Sequence, residues 1–242
     1  MTFTARTETY TNVSSLSGAY NVTVTKPTDT ADGDILFQFW AAQGAPPGAI
    51  DSVPDGWSLI ATRLVSSAYR FYLYWKIAYL EGASWTWSFT GSTKVRGVCS
   101  CYYGDAYLGG VAPIDVYSDT QYITADTNLR AASMNVAAAN SPLLFYGAVY
   151  HTSEETITTD PTNPAAWTQD DTGWSTTSDY VWYVASQVWA GSGATGNMDA
   201  IIDVADAHKH AFAVALKPAA PPETAGGSVG SVATIMRIMD MM

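Results

Sequence analysis

The chain has 242 residues, of which 48% are hydrophobic and only 14% charged, and its formal net charge is −11. That charge repels a phosphate backbone, which excludes nucleic acid as a partner. No apolar run is long enough to cross a bilayer and the polar first residues carry no secretory pattern, so no membrane partner is expected.

In chain order, residues 7–13 and 19–25 alternate polar and apolar side chains and read as two strands around a Ser/Gly turn. After Lys26, Pro27 and a polar break, residues 34–42 form a nearly continuous apolar run, the pattern of a central strand covered on both faces. A Gly/Pro loop at 44–48 and the Pro54-Asp55-Gly56 turn lead through Trp57 into a further strand. Residues 69–79, 84–89 and 95–103 are dense in aromatic and β-branched side chains, with Gly82 and Gly91 in the turns between them. They predict three strands of an antiparallel meander. Cys99 and Cys101 project from one strand face with Cα atoms about 6.5 Å apart, a poor start for a bridge, and read as small buried hydrophobes. Residues 104–110 are a loop, 113–118 carry the chain across, and 129–136 predict another strand.

The first half then returns. Residues 140–150 echo 33–40, Trp167 echoes Trp57, 180–189 echo 69–78 and 206–217 echo 94–104, at offsets drifting from about 107 to 114 residues. A repeat this long, built of strands and turns, predicts two similar half-sheets folded face to face. The expected fold is all-β, an antiparallel, jelly-roll-like β-sandwich of roughly eight to ten strands over residues 1–217. Residues 218–231 are a Pro/Gly/Ser linker. Residues 232–242 place Val232, Ile235, Met236, Met239 and Met242 on one apolar stripe at helical spacing, with Ile238 among them. Eleven residues are too few for a stable isolated helix, so this segment is expected to anchor on a partner surface.

Three constellations carry possible chemistry. His208 and His210 share a strand face with Asp206, but without a third fixed ligand position they predict no metal site. The acid pairs Glu154-Glu155 and Asp170-Asp171 are adjacent in sequence; on a strand such neighbours point apart, which does not suit a hydrolytic pair across a cleft. No nucleophile elbow, phosphate loop or metalloprotease helix is present, so neither catalysis nor a cofactor is expected. The 15 Tyr and 9 Trp exceed what one core needs. Trp174, Trp182 and Trp189 are the candidates for surface rings on which a glycan could stack.

The phrases Gly33–Leu36, Pro54–Ile60, Tyr72–Ala78, Trp85–Phe89, Cys101–Gly104 and Ala213–Pro218 resemble β-sandwich virion proteins of tailed bacteriophages. These comprise head decoration proteins, tail accessory domains and adhesin modules. The resemblance spans roughly residues 30 to 218 and implies a structural or adhesive role with no catalytic residues to carry over. The expected function is a capsid decoration or cement protein in a virion assembled in a host cytoplasm. It would be homo-oligomeric and bound to capsid or other virion proteins. The alternative is a carbohydrate-binding adhesin module.

Overall fold

The computed structural model describes residues 4–14, 20–44, 48–91, 94–103, 113–119, 125–151, 156–175, 179–206 and 208–218. All regular structure among them is β. The first repeat supplies β1 (Thr4–Ser14), β2 (Tyr20–Thr25), β3 (Ile35–Gln43), β4 (Ala49–Ser52), β5 (Ser58–Leu64), β6 (Tyr69–Ile77), β7 (Ser84–Thr90) and β8 (Lys94–Tyr103). The second supplies β9 (Ile114–Ser118), β10 (Asp126–Ala131), β11 (Asn135–Val136), β12 (Ser141–Tyr150), β13 (Ile157–Thr159), β14 (Thr168–Ser175), β15 (Tyr180–Trp189), β16 (Gly193–Ala194), β17 (Met198–Asp206) and β18 (Lys209–Leu216).

The two repeats have one topology. The first forms a five-stranded sheet, β1-β8-β3-β6-β5, and a three-stranded sheet, β2-β7-β4; the second forms β9-β18-β12-β15-β14 and β10-β17-β13 in the same order. Pairing is nested, β1 with β8, β2 with β7 and β3 with β6, as a long hairpin rolled on itself produces. That is a jelly-roll order with the fifth strand moved into the larger sheet. In the second repeat a short β11–β16 ribbon adds one more nested rung. Even the entry to the central strand is repeated: Gly33 (φ 92°) precedes β3 and Asn140 (φ 60°) precedes β12, two residue types that tolerate the left-handed region.

The five-stranded sheets stack face to face and each three-stranded sheet covers the outside of its own half, giving four layers. Side-chain alternation enforces this. On β3, Ile35, Phe37, Phe39 and Ala41 enter the central core with Tyr146, Trp182 and Phe212 of the second half. Leu36, Trp40 and Ala42 enter an outer core with Val22, Trp87 and Cys99. β12 divides likewise, with Leu144 and Tyr146 inward and Leu143 and Phe145 outward. Strands facing water on one side show it: β2 reads exposed, buried, exposed along Asn21, Val22 and Thr23.

Two expectations change. The described residues form eighteen strands rather than eight to ten, because sheets apolar on both faces need an outer layer each. The runs at 69–77, 84–90 and 94–103 are strands, but not a meander. β6 and β8 both flank β3, while β7 crosses to the outer sheet between β2 and β4. Local propensity marks a strand without naming its partner, and both turns here carry the chain across the sandwich. The repeated phrases do occupy equivalent places: Trp57 and Trp167 lie in the two outer cores, and Tyr69 and Tyr180 in the central one.

Candidate functional site

The residues expected to bind a partner through the tail, Val232, Ile235, Met236, Ile238, Met239 and Met242, lie outside the described residues. Of the expected surface rings, Trp182 is buried at 8% exposure, in the central core beside Tyr180 and Val184. The Arg96 guanidinium of the first half lies 3.6 Å from its ring centre, and its indole nitrogen donates to Asp171. Trp174 and Trp189 are half-buried against the outer core of the second half. The three rings therefore serve two different layers and do not form a row. The phase of β15 carried the signal: both alternating sets, Tyr180-Trp182-Val184 and Val181-Tyr183-Ala185, are apolar, so both faces are covered.

The two halves meet along a seam of aromatic side chains bordered by polar contacts. Phe39 packs against Phe71 (6.3 Å), Tyr146 (6.2 Å) and Phe212 (6.1 Å). Ser100 and Tyr146 share a hydrogen bond of 2.6 Å, and Tyr102 donates to Asp170 at 3.0 Å. Arg63 pairs with Asp119 at 3.1 Å and Lys94 with Asp179. Twenty buried residues among those described make up this core, against which partly exposed ion pairs of about 0–1 kcal/mol each are minor; apolar burial holds the halves together.

Asp170 and Asp171 do not point apart. The β14–β15 register shifts between Gln169 and Asp171, a β-bulge that turns Asp170 towards Tyr102 and Ser186 while Asp171 receives the Trp182 indole on the same side. The same bulge occurs on β5 between Leu59 and Ala61, where Ile60 and Ala61 join the central core. One backbone device thus presents an aliphatic pair in one half and an acid pair in the other. Sequence alternation alone cannot reveal it.

Burial pushes the Asp170 carboxyl up to about 6; the Ser186 and Tyr102 hydroxyls oppose the rise and the Asp171 charge adds to it. A carboxyl raised in the folded state adds stability that is complete below its ordinary value of 3.8 and is lost as pH climbs through about 6. His210 acts in the opposite sense. Burial, and then the Arg63 charge, push it down to about 3, so its contribution is complete above 6.5 and is lost as pH falls towards 3. Between pH 7 and 5 the Asp170 contribution grows by about 1 kcal/mol. Asp170→Asn removes it and leaves His210 in place. The stability gap between variant and wild type should therefore move by about 1 kcal/mol in favour of the wild type over that range. Urea titrations at both pH values check this; a gap independent of pH contradicts it.

The histidine pair divides between solvent and core. His208 is exposed and lies against Tyr69 with ring centres 4.6 Å apart and planes tilted by 45°, its Nδ1 3.3 Å from Asp206. His210 is buried between Phe71 and Phe212, and neither ring nitrogen has a hydrogen-bond partner among the described residues. Among the described residues, no group of three or more His, Cys, Asp and Glu side chains gathers as a metal ion requires. Cys99 and Cys101 are thiols outside any disulfide, buried on one face as alternation dictates, and the Cys101 thiol donates to Asp34 at 3.5 Å.

Among the described residues, the two most exposed large apolar side chains sit together on the turn between β6 and β7. Tyr79 and Leu80 are 72% and 76% exposed, and Leu80 sits at φ 49°, a strained conformation for a branched residue. Three bonds hold it there. Leu80 N–H donates to Asp32 at 2.8 Å, Tyr79 N–H donates to Glu81 at 3.1 Å, and Lys76 pairs with Glu81 at 2.7 Å. Glu81 also accepts the Trp85 indole at 2.9 Å. Burial alone would raise the Glu81 carboxyl; the hydrogen bonds from Lys76, the Tyr79 amide and Trp85 outweigh it and hold the value below the ordinary one. Comparison with protein-family models, curated proteins and solved structures finds no match for this chain.

Proposed function

We propose that the protein is a structural subunit of a virion, a decoration or cement protein that binds a capsid shell by burying apolar surface against it. The observation that carries this reading is the Tyr79–Leu80 turn, two large apolar side chains held out in water by a pinned and strained backbone. A contact ordered before binding loses little entropy on docking, which is how a small patch becomes an energetic centre. The double jelly roll supports it as well, since the jelly roll recurs in viral capsid and lectin domains. Binding many equivalent sites on a shell stabilises the shell by mass action. A glycan-binding adhesin would present a row of exposed rings; the described residues expose Tyr79 and Tyr117, one in each half.

Co-sedimentation with undecorated capsid shells tests the proposal. The protein is expected to pellet with shells at a saturating ratio, and the double variant Tyr79→Ser, Leu80→Ser to bind at least roughly tenfold more weakly, the loss of one contact centre. Protein that stays in the supernatant, or a variant that binds as well as the wild type, contradicts it.

A further inference from the structure

The seam between the halves has two long edges, and they carry different groups. In sheet order β5, β6, β3, β8 and β1 of the first half lie over β9, β18, β12, β15 and β14 of the second. His210 on β18 belongs to the β5–β9 edge, one strand in. Asp170 on β14 belongs to the β1–β14 edge, three strands or about 14 Å away across the second sheet.

At the first edge the His210 ring is 2% exposed, 5.7 Å from Phe71 of the other half and 4.5 Å from Phe212. Arg63 enters the same layer from β5, next to Phe71 in register, and reaches Asp119 beyond the end of β9 at 3.1 Å. The other titratable groups on that face are Tyr69 on β6, Tyr150 on β12, Tyr180 on β15 and His208 on the same chain segment as His210. None of them bonds to the His210 ring. A proton on His210 therefore puts an unbonded charge among aromatic rings and beside a guanidinium of the same sign.

At the second edge Asp170 accepts the Tyr102 and Ser186 hydroxyls, and Asp171 lies on the same side with the Trp182 indole and the Arg96 guanidinium next to it. The Tyr183–Asp160 pair feels the Asp170 charge from the neighbouring strand. A proton on Asp170 removes the repulsion between two adjacent carboxylates in a half-closed site.

We propose that the seam is an acid-operated hinge: a proton on His210 lets edge strand β5 peel away from the β5–β9 side, while a proton on Asp170 tightens the opposite side and keeps the halves joined. β5 is bonded only to β6, so it can leave without unravelling its sheet. Arg63 leaves with it, and water then reaches His210. The signs are opposite at the two edges. The open β5 edge takes up a proton from 6.5 downward that the closed edge refuses until about 3, so its opening grows as pH falls. Asp170 holds a proton from about 6 downward in the closed edge but only from 3.8 in the open one, so opening there shrinks over the same range. The hinge involves no residue of the Tyr79–Leu80 turn and stands or falls apart from shell binding.

Hydrogen exchange of the full-length protein at pH 5 and pH 4, with each rate divided by that of the unstructured peptide at the same pH, tests it. Opening of Ser58–Leu64 is expected to be roughly tenfold greater at pH 4, and opening of Thr168–Ser175 roughly fourfold smaller. In His210→Phe the β5 response should vanish and the β14 response remain. His210→Asn, smaller and equally unable to titrate, makes the same comparison if the larger ring disturbs the seam; protection of β3 and β12 shows which variant keeps the fold. Wild-type β5 and β14 amides that respond to pH in the same direction would overturn the proposal. So would a β5 response that persists in the folded variant.

Discussion

Replacing Gly97 by alanine is expected to destabilise the protein by about 3 kcal/mol, the upper part of the range for overpacking a core. A Cβ there would come within 2.3 Å of the Trp40 ring and 2.8 Å of the Gln38 amide. Trp40 cannot move aside: it is fully buried, with Phe89 at 5.0 Å and Trp87 at 5.6 Å. Gly82 provides the control, because its nearest neighbour to an added Cβ is 3.9 Å away and Gly82→Ala should change stability by less than about 0.5 kcal/mol. Urea unfolding of the two variants measures both; similar midpoints would contradict the packing described. The repeat shows why Gly97 is small. In the second half the equivalent pair is small on both strands: Gly147 stands where Trp40 stands and faces Ala211 as Trp40 faces Gly97, and Leu129 from the outer sheet fills the space above Gly147.

Phe39→Ala should cost about 3–5 kcal/mol, the range for emptying a buried aromatic site. Phe39 is 2% exposed and touches Phe71 of its own half and Tyr146 and Phe212 of the other. Its removal opens a cavity that both halves line, so strands of both should lose hydrogen-exchange protection together. A variant destabilised only in the first half would show that the seam carries little energy. Leu59→Ala, by contrast, removes a half-exposed side chain and should cost under about 1 kcal/mol.

Much of this architecture can be read from the residues. The run from Ile35 to Ala42 is apolar at every step but Gln38, which already says that β3 has a layer on each side. The echoes of Trp57 in Trp167 and of Tyr69 in Tyr180 mark equivalent points of two copies of one fold. The pairing of β6, β7 and β8 was not legible, because it is set by which sheet closes around β3 and not by the turns. Strands of two or three residues such as β11, β13 and β16 carry too little pattern to stand out. The acid pair at 170 and 171 was misread because a bulge breaks strict alternation, and nothing in the residue types announces it. The Tyr79–Leu80 turn was not legible: the sequence carries the strand on to Tyr79, whereas β6 ends at Ile77, and the strain and exposure of the turn come with bonds to Asp32 and Glu81 that only the fold brings together.

The most direct test of the central claim, that the aromatic seam fuses two jelly rolls into one body, is hydrogen exchange of β3 and β12 across a urea titration. One cooperative body predicts that both central strands lose protection at the same urea concentration. A range in which β12 stays protected while β3 is open, or the reverse, would show two independent domains and contradict it.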